Sequence, residues 1–179
     1  MADKIIIMFT KADIENYFLA EKQESTLFIF VGIVAILLAL LFLLLLRGPF
    51  YKGAALPLLL VGILQLGAGY TVYKRSDDDR TRMVYAYDMN PGQLKIEELP
   101  RMQKVNSHFM IYRWTEIILL LAGLALLFYF KPQPSGQFWF GLGLTLAIEA
   151  AIMLGADYVA EQRAHSYTKG IESFLQKLR

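Results

Sequence analysis

Three side chains able to bind a metal recur at four-residue steps near the C-terminus: Asp157, Glu161 and His165. Residues four apart share one face of a helix, so a carboxylate and an imidazole at this spacing can hold a metal ion together. Di-iron helical bundles use paired Glu-x-x-His motifs, whereas this chain has Glu-x-x-x-His once. An ordinary charged helix face in water is the alternative interpretation.

The chain has no cysteine. This excludes disulfides, thiolate catalysis and cysteine-based zinc or iron–sulfur sites. There is also no Ser-His-Asp arrangement and no glycine loop that would hold a phosphate. We therefore expect no cofactor, and the net charge of +2 gives no reason to expect a nucleic-acid partner.

A lone acid, Glu149, lies inside the apolar run 141–158, GLGLTLAIEAAIMLGADY. Acids within membrane helices face a bundle interior or a water-filled cavity. The polar side chains that could meet Glu149 at this depth are Gln65, Thr145 and Tyr70. Two interpretations stay open: a titrating carboxylate that carries protons or binds a cation, or a protonated acid that joins two helices by a hydrogen bond.

Small residues form a four-residue stripe on the same segment: Gly143, Ala147, Ala151 and Gly155. Small residues let membrane helices approach closely, so the sequence predicts that this stripe packs against a neighbour. Gly62 and Gly69 form a looser stripe on the second apolar segment. At ~100° per residue, Glu149 faces away from the stripe. The last helix would then contact protein or water on two opposite sides, at the bundle centre or at an oligomer interface.

Four apolar segments are long enough, or nearly so, to cross a membrane as helices. About 20 helical residues span the ~30 Å hydrocarbon layer, and the segments are 26–46, 54–73, 114–130 and 137–159. Aromatic residues flank the shorter third segment, as interfacial aromatics do. The sequence predicts an all-α integral membrane protein, a four-transmembrane-helix bundle with a first hairpin at 26–73 and a second at 114–159.

Basic residues are distributed unevenly around these segments. Four spans place the N-terminus, the central loop and the C-terminus on one side, and 15 of the 18 Lys and Arg residues lie there. The two opposite loops, RGPFYKG and KPQPSG, carry Arg47, Lys52 and Lys131 and are tight turns. The positive-inside rule predicts a multi-pass protein of the cytoplasmic (inner) membrane with both termini in the cytoplasm.

The segment between the hairpins, 74–113, is predicted to be a cytoplasmic helical hairpin. Asn90-Pro91-Gly92 is a turn signal. Residues 74–88 contain no helix breaker and can continue the second span, and Pro100 suits the first turn of a helix that runs into the third. Helices two, three and four would therefore extend into a cytoplasmic helical bundle.

Both ends of the chain have patterns that fit this bundle. The C-terminal segment 160–179 is predicted to be a helix with a coiled-coil-like seam made of Ala160, Ala164, Tyr167, Ile171, Phe174 and Leu178. Residues 1–25 form a cytoplasmic or interfacial amphipathic segment. Thr10 and Asp13 have the spacing of a capping box, and Ile14, Tyr17 and Phe18 would lie against the membrane surface.

A weak internal repeat links the two hairpins. Leu66-Gly67-Ala68-Gly69-Tyr70 in the second span is similar to Leu154-Gly155-Ala156-Asp157-Tyr158 in the fourth. The chain could be two parallel hairpin repeats, related by a pseudo-twofold axis along the membrane normal.

These patterns support three functional hypotheses. The first is a non-enzymatic membrane protein that acts by helix–helix association, as a homo-oligomer or as an accessory or immunity-type subunit that binds another protein. The second is a small proton- or cation-coupled transporter or channel that uses Glu149. The third is a membrane enzyme with a metal site at Asp157, Glu161 and His165.

Overall fold

The computed structural model describes residues 9–130 and 134–178. In these ranges the chain is all-helical and has no strand, and its four helices are α1 (Lys11–Leu46), α2 (Pro49–Met89), α3 (Pro91–Tyr129) and α4 (Gln137–Lys177). Each is long and apolar enough to cross a membrane. This confirms the predicted all-α architecture with four membrane-length helices. Predictions that involve residues 1–8, 131–133 and 179 lie outside the described residues.

Local sequence signals explain where the helices begin and end. At the start of α1 the Asp13 carboxylate accepts hydrogen bonds from the Thr10 backbone N–H at 2.7 Å and the Thr10 hydroxyl at 2.8 Å, which completes the predicted capping box. After α1, Arg47 adopts a left-handed φ of 50° and Pro49 begins α2. Proline suits a first turn because an N–H there has no partner within the helix. Asn90 separates α2 from α3, which begins at proline in the same way.

Every helix has an apolar and a polar part. We call residues 26–73 and 114–159 the apolar half, and residues 9–25, 74–113 and 160–178 the polar half. A 41-residue helix such as α2 is about 60 Å long, twice the ~30 Å hydrocarbon layer. Each helix can therefore cross a membrane and extend a comparable distance beyond it.

In the apolar half the helices pack in the order α1, α2, α4, α3. The extensive contacts are those of α1 with α2, α2 with α4, and α4 with α3. The most apolar windows of α2 and α4 are 33 % and 28 % buried, against 17 % and 11 % for α1 and α3. The second and fourth helices are therefore the central ones.

In the polar half, all four helices contribute to one hydrophobic core. Its buried members are Phe9, Ile14, Tyr17, Phe18, Met83, Ala86, Leu94, Met102, Ala164, Tyr167 and Ile171. The structure differs here from the predicted surface helix at the N-terminus, because α1 runs without a break from residue 11 into the apolar half. The apolar face of its first turns meets the other three helices instead of a membrane surface.

The two hairpins match in the lengths of their helices and in the spacing of those helices along the chain. α2 and α4 each contain 41 residues and begin 88 positions apart. The regular α-helical parts of α1 and α3, Lys11–Leu41 and Leu99–Tyr129, contain 31 residues each and have the same separation. Ten of the 28 residue pairs from 48/136 to 75/163 are identical at this offset.

Residues at equivalent positions meet where α2 and α4 cross. A Cβ added at Gly53 would overlap the Phe138 carbonyl, and one added at Gly141 would overlap the Phe50 carbonyl. One such pair, Gln65 and Met153, is in direct contact, with the Gln65 side-chain amide 3.2 Å from the thioether sulfur. The α2–α4 contact is thus made by the same positions of both hairpins.

Candidate functional site

Glu149 lies on the face of α4 that is directed toward α2. Gly141 and Met153, two turns before and one turn after it in the same four-residue row, both contact α2. Glu149 is 7 % exposed, and within the described residues its carboxyl forms no hydrogen bond. The acid is therefore covered by protein at the centre of the four-helix row.

The predicted polar neighbours of Glu149 do not form a hydrogen-bonded group with it. Gln65 is buried, but its amide contacts Met153 and its Oε1 has no partner among the described residues. The Thr145 hydroxyl donates to the Gly141 carbonyl within α4 at 2.6 Å. Tyr70 is exposed on the outer side of α2.

The small-residue stripe of α4 divides into two parts. Gly143 and Ala147 pack against α3, where a Cβ added at Gly123 would lie 2.7 Å from the Ala147 nitrogen and 2.9 Å from the Gly143 oxygen. Ala151 and Gly155 are exposed, and an added Cβ at Gly155 would meet no atom within 4 Å. Within the described chain, the first two residues of the predicted stripe have a packing partner and the last two face outward.

Helical geometry explains this division. Four residues advance a helix by ~400°, so a strict four-residue stripe drifts ~40° per step from a straight contact line. On α4 the residues that face α3 follow the 3.6-residue period instead, through Gly143, Ala147, Asp157 and Glu161. On α2 the looser stripe does pack: Gly62 lies against Gly32 and Ala35 of α1, and Gly69 lies against Ser25 and Ile29.

A cluster of charged side chains lies where the apolar and polar halves meet. Glu116 of α3 is 7 % exposed. It lies one turn after Arg113, and Asp157 of α4 lies one turn before Glu161. Because Arg113 binds Glu161 across these antiparallel helices, the Glu116 and Asp157 carboxyls face each other. One Glu116 oxygen, Oε2, is buried and has no other partner among the described residues.

Two ion pairs flank this carboxyl pair. Arg113 of α3 donates to Glu161, one turn beyond Asp157. Arg163 of α4 donates both guanidinium nitrogens to Glu24 of α1, one of them at 2.6 Å. These interactions connect α3 to α4 and α1 to α4 at the same level. We take this cluster, with Glu116 and Asp157 at its centre, as the candidate functional site.

The proposed metal ligands are placed in other contacts. Asp157 faces Glu116, Glu161 pairs with Arg113, and His165 lies 3.5 Å from the Glu161 carboxylate. Over residues 9–130 and 134–178 no group of three or more His, Cys, Asp or Glu residues is arranged to hold a metal ion.

Five of the six seam residues of the C-terminal helix are buried or pack against the polar core. Ala160, Ala164, Tyr167 and Ile171 are buried, and Phe174 packs against the core cluster. Leu178, the sixth, is exposed, so the seam is shorter than predicted.

Buried polar groups accompany this core. Tyr167 stacks on Tyr17 with ring centroids 4.0 Å apart, and burial raises the pKa of both phenols above the ordinary tyrosine value. Glu21 accepts hydrogen bonds from Arg75 at 3.0 Å and from the Ser76 hydroxyl at 3.3 Å. Burial raises the pKa of the Glu21 carboxyl, and the nearby Arg75 charge opposes that shift.

Sequence reasoning missed the role of Glu116 because it considered each helix separately. A signal was available: Glu116 and Asp157 lie two residues inside the ends of the predicted spans 114–130 and 137–159, and therefore at one depth. Two acids at the same depth on neighbouring antiparallel helices predict a contact.

No family model, curated protein or solved structure matches the chain.

Proposed function

We propose that the chain is a multi-pass membrane protein that acts by helix–helix association with a second copy of itself. The observation that carries this proposal is a pair of outward-facing glycines at equivalent positions. Gly67 of α2 and Gly155 of α4 are both exposed, and an added Cβ at either would meet no atom within 4 Å. Each glycine lets the backbone of another membrane helix approach closely.

The surroundings of these glycines support the same conclusion. Exposed residues at equivalent positions lie on the same helix faces as the two glycines. They are Ile63, Leu64 and Tyr70 on α2, and Ala151, Ile152 and Tyr158 on α4. Each face thus combines a small residue with large apolar and aromatic ones, as helix–helix interfaces in membranes do. An accessory or immunity-type partner protein would use the same two faces.

We also propose how the hairpins and termini are arranged relative to the membrane. The matched registers of α1–α2 and α3–α4 support a duplicated hairpin with the two copies parallel in the membrane. The excess of Lys and Arg in the polar half supports a cytoplasmic location for that half and for both termini. The polar half would then be a cytoplasmic helical bundle.

Substitution of the two glycines tests the association. Gly67→Leu and Gly155→Leu should shift the detergent-solubilised protein from oligomer to monomer in crosslinking and size measurements, because leucine holds the helices apart. Ala122→Leu is the matched control, because Ala122 is an exposed small residue on α3. A wild-type protein that is monomeric in membranes would contradict the proposal, as would equal loss of assembly in all three variants.

A second candidate, proton- or cation-coupled transport, is supported by the buried and unbonded Glu149. The test is a Glu149→Gln protein in liposomes. A wild-type ion flux that is lost in a normally assembled Glu149→Gln protein would favour transport. Absence of flux in both proteins, with intact oligomers, would favour association alone.

A further inference from the structure

Glu116 is one of very few α3 side chains that are buried. Among residues 99–129 the buried ones are Met102, Glu116 and Gly123. In the apolar half, the fully buried α3 residues are Gly123, where the backbones of α3 and α4 approach closely, and Glu116, which faces Asp157. A change in the charge of the Glu116–Asp157 pair would act directly on the α3–α4 contact.

The cationic side chains near the Glu116–Asp157 pair bind other carboxylates and do not neutralise it. Glu24 of α1 and Glu161 of α4 are the other charged groups that act on Asp157. The two nearby guanidinium groups are already bound, since Arg113 donates to Glu161 and Arg163 donates to Glu24. His165 lies 3.5 Å from the Glu161 carboxylate, and Arg75 of α2 donates to Glu21 of α1.

Two ionised carboxylates that face each other across a helix contact repel each other, and the cost is large away from water. One proton held between them replaces the repulsion with a hydrogen bond, as in other paired carboxyl groups. The site suits a proton better than a metal ion, because the described residues offer no third His, Cys, Asp or Glu side chain arranged to coordinate a metal.

We propose that Glu116 and Asp157 form a proton-binding site whose single proton joins α3 to α4. The buried Glu116 Oε2, which has no other partner in the described part of the chain, belongs to this shared bond. Release of the proton leaves two adjacent negative charges and weakens the α3–α4 contact near the end of the apolar half. The site goes beyond the proposed association and does not depend on it.

The first test measures thermal unfolding of the full-length protein in detergent as a function of pH. If the folded protein holds a proton that the unfolded chain releases, stability is complete in acid and falls as the pH rises. Between about pH 5 and 9 the wild-type midpoint should fall by about 3 °C or more. In Glu116→Gln, whose amide donates to Asp157 without a titrating proton, this fall should be reduced by at least half. Asp78→Asn, at an exposed carboxyl, should retain the wild-type profile.

A second readout does not depend on stability. Infrared spectra of the wild-type protein at neutral pH should contain the carbonyl band of a protonated carboxyl group. A component of that band should be absent from both Glu116→Gln and Asp157→Asn, and present in Asp78→Asn. This measurement distinguishes a bound proton from a merely structural contact, which would leave the band unchanged.

Three results would overturn the proposal. One is a wild-type midpoint that does not change with pH. Another is a carboxyl band that survives in both pair variants. The third is stabilisation of the wild-type protein at alkaline pH by Na⁺, K⁺ or Ca²⁺ that is lost in Glu116→Gln, because the pair would then bind a metal cation in place of a proton.

Discussion

Glycines on the four helices fall into two groups according to what an added Cβ would meet. At Gly123 the neighbours are backbone atoms of α4, at 2.7 Å and 2.9 Å, and neither can move without displacing the helix. At Gly155 there is open space. The first glycine therefore serves packing within the chain, and the second is available to a neighbour outside it.

This contrast gives a prediction for stability. Gly123→Ala should destabilise the folded chain by about 1–3 kcal/mol, the usual cost of overpacking, and lower its unfolding midpoint in detergent. Gly155→Ala, the matched control, should be neutral or slightly stabilising because alanine favours helix. Equal midpoints for the two variants would contradict the α3–α4 contact described above.

The stacked tyrosines of the polar core predict alkaline sensitivity. Burial raises the pKa of Tyr17 and Tyr167, so unfolded chains release these phenol protons at a lower pH than folded ones. Stability should therefore be intact below the ordinary tyrosine pKa of about 10 and be lost as the pH rises above it. Tyr17→Phe should shift the alkaline unfolding midpoint upward, measured by tyrosinate absorbance. Tyr85→Phe, at an exposed tyrosine, should leave the midpoint unchanged.

At the scale of helices, a partly buried ion pair joins α1 to α4 beside the stacked tyrosines. Arg163 of α4 binds Glu24 of α1 through both terminal guanidinium nitrogens. A guanidinium can form two parallel hydrogen bonds to a carboxylate, whereas an ammonium cannot. The charge type and the shape of the group both matter at this position.

Arg163→Lys should therefore destabilise the protein by about 1 kcal/mol even though the charge is kept. Arg82→Lys is the control, because Arg82 and its partner Glu97 are both about half exposed. Denaturant unfolding in detergent would measure both. If the two variants lose the same stability, the α1–α4 pair contributes no more than a surface pair does.

At the scale of the whole molecule, the chain is organised as two hairpins that share one central contact. α2 and α4 meet through equivalent positions, among them Gly53 and Gly141. The connection between the hairpins is the short turn at Asn90. If the hairpins are a duplication, this turn keeps the copies together without forming their interface.

Separate hairpins should therefore assemble. Co-expressed fragments 1–90 and 91–179 are expected to copurify, because the α2–α4 contact and the shared polar core remain available to them. Gly53→Leu in the first fragment should reduce the amount of second fragment recovered, since a side chain there overlaps the Phe138 carbonyl. Gly67→Leu is the control, at a position that faces away from α4 in open space. Equal recovery with the Gly53→Leu and Gly67→Leu fragments would contradict the described α2–α4 contact.

The sequence by itself determined the helical class, the four membrane-length segments, the turn at Asn90 and most of the C-terminal seam. These features follow from apolar length, turn residues and the 3.6-residue period, all of which act within a short stretch of chain. The capping box at Thr10 and Asp13 was readable for the same reason.

Only the tertiary structure decided which face of each helix meets a neighbour. The four-residue stripe of α4 predicted a contact for Ala151 and Gly155, yet both lie outside the line along which α3 packs. Glu116 lies near the end of the third predicted span, and only the packing of α3 against α4 buries it opposite Asp157. Membrane helices present apolar residues on every side, so sequence periodicity alone does not distinguish a lipid-facing surface from a protein contact. The crossing of two helices makes that distinction, and it involves residues that are far apart in the chain.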